Sequence, residues 1–248
     1  MNEIIKAENV GIKFSLGKTG YKKMQLTLQD ILKKGEEVRK TETDSADFWA
    51  LRNISFSINK GDILGVVGSN GSGKSTLLRI IAGVYSLDEG SLEINGSISP
   101  LLSLGTGFKM GLSGYDNIFL NGVVMGFKRQ EIEAHVKDII EFSELGEFIF
   151  QPVKNYSSGM MARLGFSIAV FLKRDIMLID EVLGVGDFKF REKSQKKMQE
   201  IIHSGQTIII VSHNLESIKK YANKCIWINK GELMVEGETE EVLEKYTS

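Results

Sequence analysis

The stretch that most constrains this chain is Gly68-Ser69-Asn70-Gly71-Ser72-Gly73-Lys74-Ser75, which meets the pattern G-x-x-x-x-G-K-[ST] at every fixed position. Ile63 to Val67 before it is a short apolar run of strand length, and Thr76 to Ala82 after it carries a helical pattern. Strand, glycine-rich turn and helix in that order predict a concavity of backbone N–H groups closed by the positive end of a helix, which is a seat for phosphate oxygens. Lys74 would neutralise the β- and γ-phosphates of a nucleoside triphosphate, and the Ser75 hydroxyl would ligate Mg²⁺. Gly68, Ser69, Asn70, Gly71, Ser72, Gly73 and Thr76 complete the cradle. A glycine turn serving only to join strand to helix would not need a lysine and a hydroxyl in register.

A second stretch, Ile176-Met177-Leu178-Ile179-Asp180-Glu181, is an apolar strand ending in two acids. Beside a phosphate loop, Asp180 would hold Mg²⁺ directly or through water, and Glu181, pointing to the other side, would orient or deprotonate an attacking water. Between the two stretches lies Tyr156-Ser157-Ser158-Gly159-Met160. It leads into an apolar helical run with Ser157 or Ser158 at its N-terminus, an end that binds anions through free N–H groups.

The rest of the pattern places these motifs. Residues 3 to 14 alternate as a strand, and 15 to 50 look like an insertion rich in Lys, Gly, Thr and Asp before strand signals resume from Trp49 to Ile58. Inside the insertion, Tyr21, Met24, Leu28, Ile31 and Leu32 recur at helical spacing. They predict an amphipathic helix that either folds back on its own domain or meets a membrane partner or lipid headgroups. Ser91 to Gly96 reads as a strand followed by an Asn-Gly hairpin cue. From Ser113 the pattern turns helical, with Lys128 to Glu144 carrying apolar residues at Ile132, Val136, Ile139 and Ile140. Helix and strand then alternate, with strands at Ile176 to Ile179 and Thr207 to Val211, predicting a mostly parallel sheet covered by helices.

Thirty-one basic residues against thirty-two acidic ones leave no long-range field for nucleic acid, which is not expected as a partner. The one cysteine, Cys225, cannot form an internal disulfide and reads as buried filler, pointing to a reducing compartment. No run reaches the ~18 apolar residues of a membrane span, and Met1 to Lys6 lacks the order of a secretory signal.

Residues 156 to 160 resemble the signature of ATP-binding cassette ATPases, usually Leu-Ser-Gly-Gly-Gln, with Tyr156 for Leu, Ser158 for the first Gly and Met160 for Gln. The loop at 68 to 75, the acids at 180 and 181, the turn Gly184-Val185-Gly186-Asp187 and His213 behind Val211-Ser212 follow the family's order. The resemblance implies an α/β fold over 1–248, a P-loop ATP-binding cassette with a mostly parallel core sheet, an antiparallel β lobe holding the 15–50 insertion, and a helical lobe at about 108–165. It also implies a head-to-tail homodimer working on Mg²⁺ with ATP. In such a dimer Ser157, Ser158 and Gly159 bind the partner copy's ATP, His213 contacts the γ-phosphate and supports Glu181, and Asp187 signals across the interface. Lys74, Glu181 and His213 are then the catalytic set.

Two positions depart from the family's pattern. Its usual glutamine after the hairpin's following strand is matched only by Ser103, and its aromatic adenine platform falls to Phe14 or to Trp49. Phe48-Trp49-Ala50-Leu51, Leu102 to Phe108, Gly114 to Gly122 and Asp180 to Asp187 together look like the ATPases that export lipid-linked polysaccharides such as O-antigen, capsule and teichoic acid. That likeness implies two copies of a polytopic permease, a lipid-linked polysaccharide handled through it, and a peripheral place on the cytoplasmic face of the plasma membrane. The end at Ser248 predicts no C-terminal carbohydrate-binding domain. Another transporter class and a soluble ATP-driven clamp are the rival readings.

Overall fold

The computed structural model describes residues 2–15, 47–101, 107–180 and 187–248. The helix expected between Tyr21 and Leu32, Ser103, and Glu181 with Gly184 to Gly186 lie outside these residues.

Two sheets form the frame. In the first, β1 (Glu3–Ser15) pairs antiparallel with β2 (Asp47–Asn59) on one side and β4 (Glu89–Ile94) on the other. β2 opens at Asp47, two residues before the expected Trp49, because Phe14 pairs with Phe48 and Ser15 with Asp47, carrying the ladder into polar residues that the alternation alone does not mark. The second sheet has six strands in the order β5-β6-β7-β3-β8-β9. β5 (Ile98–Leu101), β6 (Ile176–Asp180), β7 (Thr207–Val211), β3 (Ile63–Val67) and β8 (Lys224–Asn229) run parallel, and β9 (Glu232–Glu238) closes the edge antiparallel to β8. Every residue of β3 and β7 is buried, as their unbroken apolar runs require when both faces of a parallel sheet are covered.

The Asn95-Gly96 hairpin does not form: β4 belongs to the antiparallel sheet and β5 to the parallel one. The dipeptide is a crossing between sheets. Asn95 donates its amide to Ile4 O at 2.8 Å, and Asp175 captures Ser97 through its amide and hydroxyl at 2.8 and 2.5 Å. A Cβ on Gly96 would stand 3.1 Å from Asp175 Cβ, so the chain threads a narrow gap there.

Seven α-helices are described: α1 (Lys74–Ile81), α2 (Gly114–Val124), α3 (Arg129–Ser143), α4 (Ser158–Phe171), α5 (Phe188–Ile202), α6 (Leu215–Tyr221) and α7 (Thr239–Thr247). Ser113 caps α2 by accepting from Asp116 N at 3.0 Å, as its position predicts. The buried apolar side chains gather in three cores. One joins the antiparallel sheet and α1 to the parallel sheet, the second packs α4, α5, α6 and α7 against that sheet, and the third lies among α2, α3 and α4. α4 serves two of them: Phe166, Ala169 and Val170 enter the second, while Leu164, Ile168 and Leu172, which follows the helix, recur at i, i+4 into the third.

Candidate nucleotide site

In the parallel sheet Val211 pairs with both Val66 and Asp180, so β3, β6 and β7 end level and the chain leaves all three at one edge. The phosphate loop leaves β3 there. Gly68, Gly71 and Gly73 have φ of 151°, 76° and 111°, in the region that favours glycine. A Cβ would also stand 2.1 Å from Ile228 O at Gly68 and 2.5 Å from Leu51 Cδ2 at Gly73. The loop is therefore held between β2 and the turn after β8. Gly231 in that turn donates to Ser72 O at 2.9 Å and accepts from Arg52 N at 2.8 Å. Gly231 escaped the sequence reading because nothing within a few residues of it marks the contact.

Ser69, Asn70 and Gly71 are exposed at the mouth, and Ser72 is buried beneath. Lys74 heads α1 and curls back, donating to Gly68 O and Ser69 O at 2.8 Å each. Ser75 follows with its Oγ 3.5 Å from Asp180 Oδ2, and Thr76 is half-buried in the same first turn. A hydroxyl in the first turn of α1 and a carboxylate at the end of β6 are hard oxygen donors, the partial set that Mg²⁺ would complete with water and phosphate. His213 is exposed two residues beyond Val211, ahead of Asn214, which caps α6. Lys74, Ser75 and Asp180 thus meet at one edge, and His213 leaves from it.

Phe14, one residue before the end of β1, is half-buried, its ring 6.4 Å from Phe48 in a stacked pair and 5.5 Å edge-on from Tyr85. Trp49 lies elsewhere on the ladder, opposite Lys13, with its ring against Gly11, where a Cβ would come within 3.1 Å. Arg52 stands 5.0 Å over that ring and Lys13 5.8 Å. Trp49 is thus engaged by two cations, whereas Phe14 belongs to an aromatic group that includes Phe48 and Tyr85.

The signature stretch opens on another cleft, of 370 Å³, which contains none of residues 68–76. Ser157, rather than Ser158, is the cap of α4, accepting from Met160 N at 3.2 Å. Ser158 begins the helix and is exposed, and Gly159 lies half-buried on the cleft wall. Tyr156 anchors the stretch by donating to Phe148 O at 2.7 Å, and its burial pushes the phenol pKa up. Gly114 leaves room for that hydroxyl, since a Cβ there would stand 2.2 Å from it. Asp187 faces the same cleft and caps α5 through Phe190 N at 3.0 Å. That bond, with Arg163 beside it, holds the Asp187 carboxyl below the usual carboxylate range despite the opposing effect of desolvation.

A level edge of parallel strands carrying a glycine loop, a lysine and an acid defines a phosphate-loop nucleotide-binding protein. The profile of the ABC transporter family matches residues 51–184. The chain is 52% identical over 200 residues to the teichoic acids export ATP-binding protein TagH of Lactococcus lactis subsp. lactis (strain IL1403), covering 81% of this chain and 43% of that one. It is 45% identical over 208 residues to the O-antigen export system ATP-binding protein RfbB of Myxococcus xanthus, covering 84% and 48%. The chain thus spans a little under half the length of these relatives. In three dimensions it is similar to a dimeric ATP-binding cassette in a post-hydrolysis state bound to ADP and Pi, with a TM-score of 0.70, 19% identity and coverage of 95% and 98%. This chain belongs to the ABC transporter family.

Proposed function

We propose that this chain hydrolyses ATP to power export of a lipid-linked polysaccharide, of the O-antigen, capsule or teichoic acid type, through a membrane permease. The observation that carries the ATPase reading is the meeting of Lys74, Ser75 and Asp180 at the level ends of β3 and β6. The cargo reading is supported by the names of the relatives, which export teichoic acids and O-antigen. When Mg²⁺ binds with ATP at Ser75 and Asp180, it supplies charge neutralisation at the β- and γ-phosphates.

The chain's own residues do the rest by positioning. The 68–73 amides cradle the phosphates, and Lys74 exchanges its two loop carbonyls for phosphate oxygens. Glu181 orients or deprotonates the attacking water, with His213 in support. Phe14 stacks on adenine. Because the signature cleft holds none of the loop residues, Ser157, Ser158 and Gly159 are read as meeting ATP on a second copy in a head-to-tail homodimer. Among the described residues no helix is long and apolar enough to cross a membrane. A peripheral place at the cytoplasmic face, beneath the permease, is part of the same reading as the cargo.

The test uses Glu181→Gln held closed with ATP and recovered from native membranes. Wild-type protein should turn over ATP, and the variant should bind ATP with turnover reduced by about 10² to 10⁴-fold. The recovered variant should carry a polytopic permease and a polyprenyl-linked glycan. Recovery of ribosomes or DNA repair proteins, with no membrane partner, would replace the exporter reading with that of a soluble clamp.

A further inference from the structure

Arg163 lies in the second turn of α4, and its side chain is only 19% exposed. One guanidinium there reaches three residues on two other elements. Nη2 donates to Asp187 Oδ2 at the cap of α5, and Nη1 stands 3.7 Å from Glu144 Oε2 just beyond α3. Its Cζ sits 5.1 Å over the ring of Phe190. Glu144 is gripped from α5 as well: Lys193 Nζ lies 2.8 Å from its Oε1 and donates to Phe142 O at 3.0 Å. The Lys193 bond is the main reason that the Glu144 carboxyl sits below the ordinary carboxylate range.

The backbone bears on why these charges are here. Glu144 caps α3 at φ 55°, a left-handed position that glycine or asparagine usually takes. A glutamate at that corner costs backbone strain and gains two cations. Arg163 is equally particular. Its planar fork serves a carboxylate on each of two elements while its face covers an aromatic ring, geometry that a lysine point charge does not reproduce. Both residues line the 370 Å³ cleft that also holds Ser157, Gly159 and Asp187.

We propose that Arg163 is a positioning residue that fixes the spacing between the signature end of α4 and Asp187, with Glu144 transmitting the position of the helical lobe to that spacing. The proposal rests on the reading that Ser157 and Gly159 meet ATP bound on a second copy. Nucleotide binding itself, made by residues 68–76 outside this cleft, is left to the loop.

The experiment compares full-length wild type with Arg163→Lys, Arg163→Met and the isosteric Glu144→Gln. It measures ATP turnover, affinity for a fluorescent ATP analogue, thermal melting and, in a Glu181→Gln background, ATP-driven dimerisation by sedimentation. Both Arg163 variants should bind the analogue within about twofold of wild type yet lose turnover and dimerisation by about 10 to 100-fold, the scale of a displaced catalytic partner. Arg163→Lys should not rescue. Glu144→Gln should lose less, and adding it to Arg163→Met should cost little further turnover, since Glu144 reaches the cleft spacing through Arg163, while the lost Lys193 pair shows in thermal melting. Variants that dimerise and turn over like wild type would overturn the role of Arg163 and leave the ATPase reading intact. Loss of analogue binding in step with turnover would overturn it as well, showing a general structural effect. A wild type that neither hydrolyses ATP nor dimerises with it would bring down the ATPase reading, and this proposal with it.

Discussion

Gly231 donates its amide to the carbonyl of Ser72 across 2.9 Å, joining the turn between β8 and β9 to the middle of the phosphate loop. The same glycine has φ 83°, and a Cβ on it would stand 2.8 Å from Ala50 O. Gly231→Ala should therefore push the turn off β2 and loosen the loop, costing about 1–3 kcal/mol of stability in a urea titration. Affinity for an ATP analogue should fall in the same variant. Unchanged affinity would mean that the loop keeps its shape without this support.

Asp62 opens the way into β3 and accepts from Asn59 N at 2.9 Å and from the Asn223 amide at 3.1 Å, with Lys224 Nζ at 3.0 Å. Burial acts to raise its carboxyl pKa, but these three partners outweigh burial and hold it below the ordinary 3.8. A depressed carboxylate stabilises the fold in full above its unfolded value and loses that contribution as pH falls through the lower folded one. Asp62→Asn should cost about 1 kcal/mol at pH 7, and the gap from wild type should close only below about pH 4. Denaturant midpoints at pH 7, 5 and 3 would show it.

Ser194 is fully buried in the middle of α5, and its hydroxyl has no hydrogen-bond partner among the described residues. Its neighbours on that face, Phe190 and Met198, belong to the second core. Ser194→Ala removes an unsatisfied polar group and adds helix propensity, so it should stabilise by about 1 kcal/mol and raise the Tm by roughly 2–4 °C. A lower Tm would mean that the hydroxyl is doing something for the folded chain.

Cys225 is wholly buried in β8, and desolvation pushes its thiol up to about 12. At pH 8 it stays a thiol rather than a thiolate and has no access to solvent. A thiol-reactive dye should leave the native protein unlabelled and react stoichiometrically once urea unfolds it. Rapid labelling of the folded chain would contradict this burial.

What could be read from the sequence follows the range of the interactions. The loop, the cap of α2 at Ser113 and the cap of α4 are each decided within a few residues; the structure has the first two where the sequence predicts and chooses Ser157 from the pair Ser157 or Ser158 that the sequence offers for the third. The strands β6 and β7 were legible because their apolar runs are unbroken. Asn95-Gly96 misled because a local turn preference was overruled by Asp175, a residue far along the chain that draws Ser97 into the other sheet. Arg163 passed unnoticed for a related reason. An arginine one turn into an apolar helix looks like any polar position until the fold brings Asp187 and Glu144 to it.

The two-sided packing of α4 has a consequence for anyone recombining such cassettes. A helical lobe moved from a relative would arrive with its own version of this helix. It would have to satisfy Phe166, Ala169 and Val170's side of the host sheet as well as Leu164 and Ile168's side of the incoming lobe. Splicing before Ser158 or after Phe171 leaves one of the two seams mismatched. A workable chimera would instead be cut along the axis of the helix, by choosing residue by residue which parent supplies each face.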